Sequence, residues 1–383
     1  MPHELMYVQD TLRQAAPSAT LAFLKPKLAS FGITRVANIS GLDDLGVFVT
    51  NCIRPNAKHL SVSQGKGLSL VQAEISGIME AIEGYHIENP KASELYGAYT
   101  ELKAHYSLVA PEVFSRTLFH KNLSQEPLAW ARAYNYETQA SCYVPHILTC
   151  IDTTQIRKEY TLFNVSSNGL AAGNSFDEAL SHALLEVIER EALFHWQTLA
   201  SEEKNKRQIA IPSIDDSNAT LIENLLQRGI AVKVWDITSE IGIPAFHCVV
   251  IDNNPIRNLR LFTGTCAHLS KTMALSKAIT EALQGRLAFI SGSRDDVFED
   301  YYLKLKLDFL HHSTQVATGL KPYTKVASPS LPDSTASILA SVRQHLQAAG
   351  FTEIIIVDHT RVEWGVPVVQ VFVPGLRLNN ARM

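Results

Sequence analysis

Glu186 and Glu189 stand three residues apart, with Glu178 about two turns upstream, in a stretch whose apolar residues Ala179, Leu180, Ala183, Leu184, Val187 and Ile188 recur at helical spacing. That spacing predicts an amphipathic helix carrying both carboxylates on neighbouring positions of one face. Like charges held this close call for a cation or protons between them. Carboxylate oxygens are what hard divalent cations such as Mg2+ take as ligands.

The pattern is written three times. An Ala is followed seven positions later by Glu and ten later by Glu or Gln: Ala73, Glu80 and Glu83; Ala179, Glu186 and Glu189; Ala274, Glu281 and Gln284. A Gly-containing segment precedes each, with Gly65 and Gly67, Gly169 and Gly173, and Gly264. The copies lie too far apart for a solenoid, whose repeats run ~20–50 residues. Three helices converging on one site are expected instead.

Other polar residues surround these helices. The glycines of 63–67 would let backbone amides approach an anion, with Lys66 adding a charge, although the spacing is not that of a Walker A loop. The bland alternative is a solvated loop lysine. Asn168 and Asn174 either cap the helix after them or donate to a phosphate. Arg294 either pairs with Asp295 or Asp296 or grips phosphate oxygens with its planar fork. His146 reads as a histidine held by backbone. Glu83 and His86 form one Glu-x-x-His pair of the kind a carboxylate-bridged metallohydrolase uses, but Gly84 between them is expected to fray the helix.

Taken in order, these stretches resemble the YcaO family, ATP-dependent enzymes that activate peptide-backbone amides. The resemblance runs from about Arg35 to Leu376 and is carried by residues 41–46, 63–67, 80–83, 168–190, 281–286, 293–296 and 373–376. It implies a nucleotide held through Mg2+, with Glu80, Glu83, Glu178, Glu186 and Glu189 as metal ligands. It implies ATP contacts at Ser63, Lys66, Asn168, Asn174 and Gln284, and makes Arg190, Arg286 and Arg294 candidate catalytic phosphate clamps. In such chemistry a nucleophile adds to the amide carbon, the amide oxygen takes the γ-phosphoryl group of ATP, and phosphate leaves.

The resemblance has gaps. Members often carry an arginine directly after the second glutamate of the first helix, where this chain has Gly84. Azoline-forming members commonly end in Pro-x-Pro-x-Pro, whereas this chain ends in residues 374–383 without it. The wording of 43–46 and 63–67 is most similar to members paired with TfuA-like proteins, which implies thioamide formation. An azoline-forming cyclodehydratase and a catalytically silent subunit supporting a partner enzyme are the alternatives. The implied partners are a precursor peptide, a TfuA-like or leader-binding protein, and a second copy in a homodimer.

The elements that must position these residues are legible as patterns. Residues 1–34 read as a helical lead-in and 35–383 as the catalytic domain. Strands are expected at 35–39, 47–53, 130–134 and 142–148. A helix–strand–turn–strand unit at 218–252 recurs at 334–373. The fold class is therefore α+β, with two similar subdomains of helices and antiparallel-leaning sheets around a central nucleotide cleft.

Composition sets the bounds. The chain has 383 residues, 46% hydrophobic and 19% charged, enough for a large core. A net charge of −4 argues against a nucleic-acid-coating protein. Five cysteines, Cys52, Cys142, Cys150, Cys248 and Cys266, lack Cys-x-x-Cys spacing and read as buried reduced thiols. The N-terminus lacks a leader pattern and no apolar run approaches ~20 residues, so a cytoplasmic protein without membrane or nucleic-acid partners is expected.

Overall fold

A computed structural model of the chain describes residues 6–8, 11–114, 122–254, 259, 261–294, 320–331 and 333–377. Strands β1 (Met6–Val8) and β2 (Thr11–Arg13) form a hairpin before helix α1 (Pro17–Leu24). Strands β3 (Arg35–Asn38), β4 (Phe48–Ile53) and β5 (Val62–Gly67) form an antiparallel meander against which α2 (Leu70–Glu88) packs. Next come β6 (Leu95–Ala98), α3 (Tyr99–Leu102), β7 (Pro127–Asn135), β8 (Ser141–Pro145), α4 (Glu159–Leu162), β9 (Leu170–Ala172) and the long α5 (Phe176–Thr198).

Helices α6 (Ser201–Lys206) and α7 (Ser217–Gln227) lead to a second meander of β10 (Ile230–Asp236), β11 (Ala245–Asp252) and β12 (Leu261–Ala267), with α8 (Lys271–Ser291) laid on it. Helix α9 (Thr335–Ala348) precedes β13 (Ile355–Asp358) and β14 (Val368–Phe372). These two strands complete a six-stranded sheet ordered β6-β7-β13-β14-β9, with β8 on β7. Every pairing of named strands is antiparallel. The helix–strand–turn–strand unit occurs twice as expected, as α7-β10-β11 and α9-β13-β14.

The three glutamate helices share more than their carboxylates. Each begins with a serine four residues before its Ala: Ser69, Ser175 and Ser270 accept the backbone N–H of Gln72, Glu178 and Met273. Such a cap satisfies a donor that the helix itself cannot, worth ~1 kcal/mol. Asn168 and Asn174 are therefore not the caps of α5.

Two local expectations change. Residues 62–67 are a strand, not an anion-binding loop, and the glycines serve packing: a Cβ on Gly65 would lie 1.9 Å from the Ala73 carbonyl oxygen and 2.2 Å from Gly77 N. A Cβ on Gly264 would likewise lie 2.2 Å from the Ala278 carbonyl oxygen, and one on Gly173 2.5 Å from Ala179 N. Missing side chains thus let α2 press onto β5 and α8 onto β12, and let the chain turn tightly from β9 into α5. The lead-in, in turn, starts as a hairpin; three-residue strands are too short to leave a period in the sequence.

Candidate functional site

Pressed onto their strands, α2, α5 and α8 aim their repeated polar positions at one cleft. Glu80 and Glu83 come from α2, Glu186 and Glu189 from α5, Glu281 and Gln284 from α8. Their mutual electrostatic reach defines the convergence: Glu83 feels Glu80 and Glu186, Glu189 feels Glu281 and Glu186, and Glu80 feels Glu281.

Each carboxylate has an internal donor. The Gln64 backbone bonds Glu80, and Ala172 N donates to Glu83 Oε1 at 2.7 Å. Gly169 N donates to Glu186 Oε2 at 3.1 Å. Arg190 forks between Glu189 Oε1 at 2.8 Å and Glu186 Oε1 at 3.2 Å, while Thr265 Oγ1 donates to Glu189 Oε1 at 2.7 Å. Lys66 Nζ meets Glu281 Oε2 at 3.0 Å, and Gln284 Nε2 donates to the Gln64 carbonyl at 2.9 Å. Arg294 lies within electrostatic reach of Glu80.

These donors do not cancel the crowding. Burial pushes Glu83 well above the usual carboxylate range, reinforced by Glu80 and Glu186 against the Ala172 N–H. Burial likewise raises Glu189 to about 6, opposed by Arg190. Among the described residues no three His, Cys, Asp or Glu side chains stand as close together as one ion requires. An all-oxygen set of like charges with raised carboxyls is nonetheless what Mg2+ relieves, so the donor chemistry fits a hard divalent ion.

Several expected residues lie elsewhere. Glu178 is committed to the N-terminal segment: Arg13 Nη1 at 3.0 Å, Gln14 N at 3.1 Å and Asn174 Nδ2 at 2.9 Å all donate to it, and Thr20 donates to Asn174 Oδ1 at 2.7 Å. The lead-in is therefore tied to the mouth of α5. Arg286 does not face the cleft carboxylates; its Nε meets Asp43 at 2.6 Å and its Nη1 meets Asp252 at 2.8 Å, with all three side chains buried. That placement makes it an internal ion-pair hub rather than a free phosphate clamp. Ser63 is buried within β5, and the Asn168 backbone N donates to Ser166 Oγ at 3.3 Å. Asp295 and Asp296 lie outside the described residues.

Gly84 does not fray α2, which continues to Glu88. Its missing side chain leaves room for Arg54, whose Nη1 would lie 2.8 Å from a Cβ there. Arg54 pairs with buried Glu88, not with Glu80 or Glu83. His86 faces a cluster of Phe31, Tyr85 and Trp364 rings with Nδ1 on the Ile82 carbonyl at 2.7 Å, so it makes no metal pair with Glu83. His146 is held by the Lys91 carbonyl as expected, and all five cysteines are buried.

Two cations of the site escaped sequence reasoning. Lys277, one turn before Glu281 on α8, lines a small cavity with Arg13, Glu178, His182 and His268. Among the described residues its ammonium makes no hydrogen bond or ion pair, although its carbonyl accepts from Thr280 Oγ1 at 3.1 Å. Burial lowers its pKa from the usual lysine range, and Arg13 and Lys66 add to the effect. The i, i+4 stacking of Lys277 on Glu281 was a usable signal; nothing local marks Arg13.

Comparison with known proteins gives the family and the fold. A family model described as YcaO cyclodehydratase, ATP- and Mg2+-binding, matches residues 64–377. An uncharacterised protein of Methanothermobacter thermautotrophicus is 31% identical over 370 residues, 94% of each chain. A Rhizobium leguminosarum protein named for its position in the tfuA 3′ region is 29% identical over 96% of this chain and 89% of its own. Among solved structures, a heterocyclase in complex with substrate and cofactor superposes with a TM-score of 0.78 at 22% identity. That match covers 98% of this chain but 55% of the heterocyclase, so this chain spans about half its length. YcaO from Methanopyrus kandleri bound with AMPPCP and Mg2+ superposes with a TM-score of 0.75 at 19% identity, covering 98% and 94%. Identities this low carry the fold alone.

Proposed function

Since the chain belongs to the YcaO family, an ATP- and Mg2+-binding one, we propose that it activates a backbone amide of a ribosomally made peptide by phosphorylating the amide oxygen. The observation that carries the proposal is the convergence of Glu80, Glu83, Glu186, Glu189 and Glu281 from three helices, with Lys66, Arg190 and Arg294 among them. The finer reading is thioamide formation, in which sulfide adds to the activated carbon. The relative from the tfuA 3′ region supports it.

Glu80, Glu83, Glu186 and Glu189 would hold Mg2+. When bound, Mg2+ neutralises charge on the transferring phosphoryl group of ATP and fixes its approach. The chain's own residues do the rest. Arg190, forked between Glu186 and Glu189, fixes the position of both side chains and offsets part of the cost of ionising Glu189. Arg294 provides a planar fork for phosphate oxygens and Lys277 a point charge. Lys66 adds a movable point charge for the polyphosphate.

The test is to incubate the protein with ATP, Mg2+, sulfide and a panel of synthetic precursor peptides and to weigh the products. Exchange of one oxygen for sulfur is expected. Loss of water would replace thioamide formation by azoline formation. Glu189→Gln keeps size and helix propensity, should stay folded, and should make no product; near-parental turnover there would overturn the metal assignment.

A further inference from the structure

Strand β7 has three partners. It pairs β8 along Trp130–Tyr134, β6 along Pro127–Trp130, and β13 at Tyr134 and Asn135. Both β6 and β8 pair Trp130, and both β13 and β8 pair Tyr134, so β6 and β13 must share the edge opposite β8. Residues 131–133 of that edge are paired by neither.

The direction of the backbone groups follows from the flanking bonds. The Trp130 carbonyl accepts from Glu94 N at 3.0 Å, and Tyr136 N donates to the Ile354 carbonyl at 2.8 Å. Even-numbered residues of β7 therefore turn their amide and carbonyl to this edge. Arg132, between them, points both groups into the gap, and among the described residues nothing bonds either. Opposite, Ile356 pairs Tyr134, so the next rung would join Asp358 to Arg132. It does not form; the Asp358 carbonyl takes Lys91 Nζ at 2.7 Å instead.

A cavity of about 570 Å³ opens at the splay, lined among others by Lys91, Glu94, Arg132, Tyr134, Asp358 and His359, and reaches Gln139 and Ser141 on the β8 side. That is within the usual range of a ligand site. Its free edge spans ~10 Å at ~3.3 Å per residue. Water can meet such groups singly, but another extended backbone meets amide and carbonyl together at strand spacing.

We propose that this wedge receives an extended segment of the substrate peptide, which adds to β7 as a short strand and bonds the Arg132 amide and carbonyl. Ladder bonds hold a chain without reading its sequence. Lys91 and Arg132 against Glu94 and Asp358 give it a charged rim. The inference rests on the reading that the substrate is a peptide.

The probe is acetyl-Thr-Val-Thr-Val-Thr-amide, with a twin N-methylated on alternate residues so that it cannot extend a ladder. Amide NMR shifts and hydrogen exchange are followed on the full chain at millimolar peptide. The expected result is shifts at 131–133 and 357–359, with exchange of the Arg132 amide slowed about tenfold, and neither effect from the twin. No shifts, or equal shifts from the twin, overturn the proposal. Arg132→Pro removes the gap-facing N–H together with the side chain and should abolish the effect, whereas Arg132→Ala removes the side chain alone and should keep it; retained shifts in the proline variant, or lost shifts in the alanine variant, also overturn the proposal. Mg2+-ATP binding by the same samples keeps the two questions apart. Peptide shifts lost with nucleotide binding intact sink this inference alone. Nucleotide binding absent in the parent sinks the amide-activation reading, whatever the peptide does.

Discussion

Lys66 Nζ donates to Glu281 Oε2 at 3.0 Å, and this ion pair ties β5 to α8 across the cleft. Both side chains keep some solvent, so the pair is worth only ~1 kcal/mol. Glu281→Gln should release Lys66 and remove one carboxylate facing an incoming polyphosphate. Metal-free ATP should then bind about fivefold more tightly, ~1 kcal/mol, by calorimetry in the presence of chelator. Unchanged or weaker binding would show that Lys66 does not face the nucleotide.

Gly65 tests the packing that aims the carboxylates. Alanine there puts a methyl 1.9 Å from the Ala73 carbonyl oxygen, a backbone atom that cannot step aside. Prying β5 from α2 should cost ~3–5 kcal/mol in denaturant unfolding. Gly41→Ala, with nothing within 4 Å of its added methyl, should stay within ~0.5 kcal/mol. Similar stabilities for the two variants would refute the close-approach account.

The same residues show what a sequence can and cannot carry. The apolar period of α2, α5 and α8 and their repeated Glu positions are local, so the helices and most of the carboxylate set could be found by spacing. The serine caps are equally local, each lying four residues before the repeated Ala. Arg286 is different: its partner Asp43 lies 243 residues away, and no periodicity announces an ion pair closed by tertiary structure. Arg54 filling the space beside Gly84 is a contact of the same kind. The glycines of 62–67 were ambiguous, because a missing side chain suits an anion and a helix equally well.

Acid should destabilise the fold through His86. Burial, with Arg361 and Lys91 nearby, lowers its pKa to about 4 despite the Ile82 carbonyl, and burial places His359 at about 4 as well. Between pH 6.5 and 4 the unfolded chain binds the proton and the folded chain does not, so stability falls as pH falls through this window. His86 alone accounts for ~3 kcal/mol. His86→Phe suits the Phe31, Tyr85 and Trp364 rings and should flatten the decline by about that amount. A parental slope between pH 6.5 and 4 in the variant would be evidence against it.

Arg286 and Arg294 should separate cleanly, because one is walled in by carboxylates and the other lies near Glu80 at the cleft. A lysine at 286 is a single point charge without the fork that reaches both Asp43 and Asp252, so one buried carboxylate loses its cation. Breaking such a pair costs ~3–5 kcal/mol, while the protein that remains folded should turn over ATP normally. Arg294→Lys keeps the charge but loses the fork. If the fork acts on the transition state, peptide-dependent phosphate release should fall ~10²-fold, nucleotide affinity should change less, and unfolding should match the parent. Denaturant titration and phosphate release on both variants decide the matter. A stable but inactive Arg286→Lys protein would make Arg286 the clamp after all, and a fully active Arg294→Lys protein would reduce Arg294 to a charge partner of Glu80.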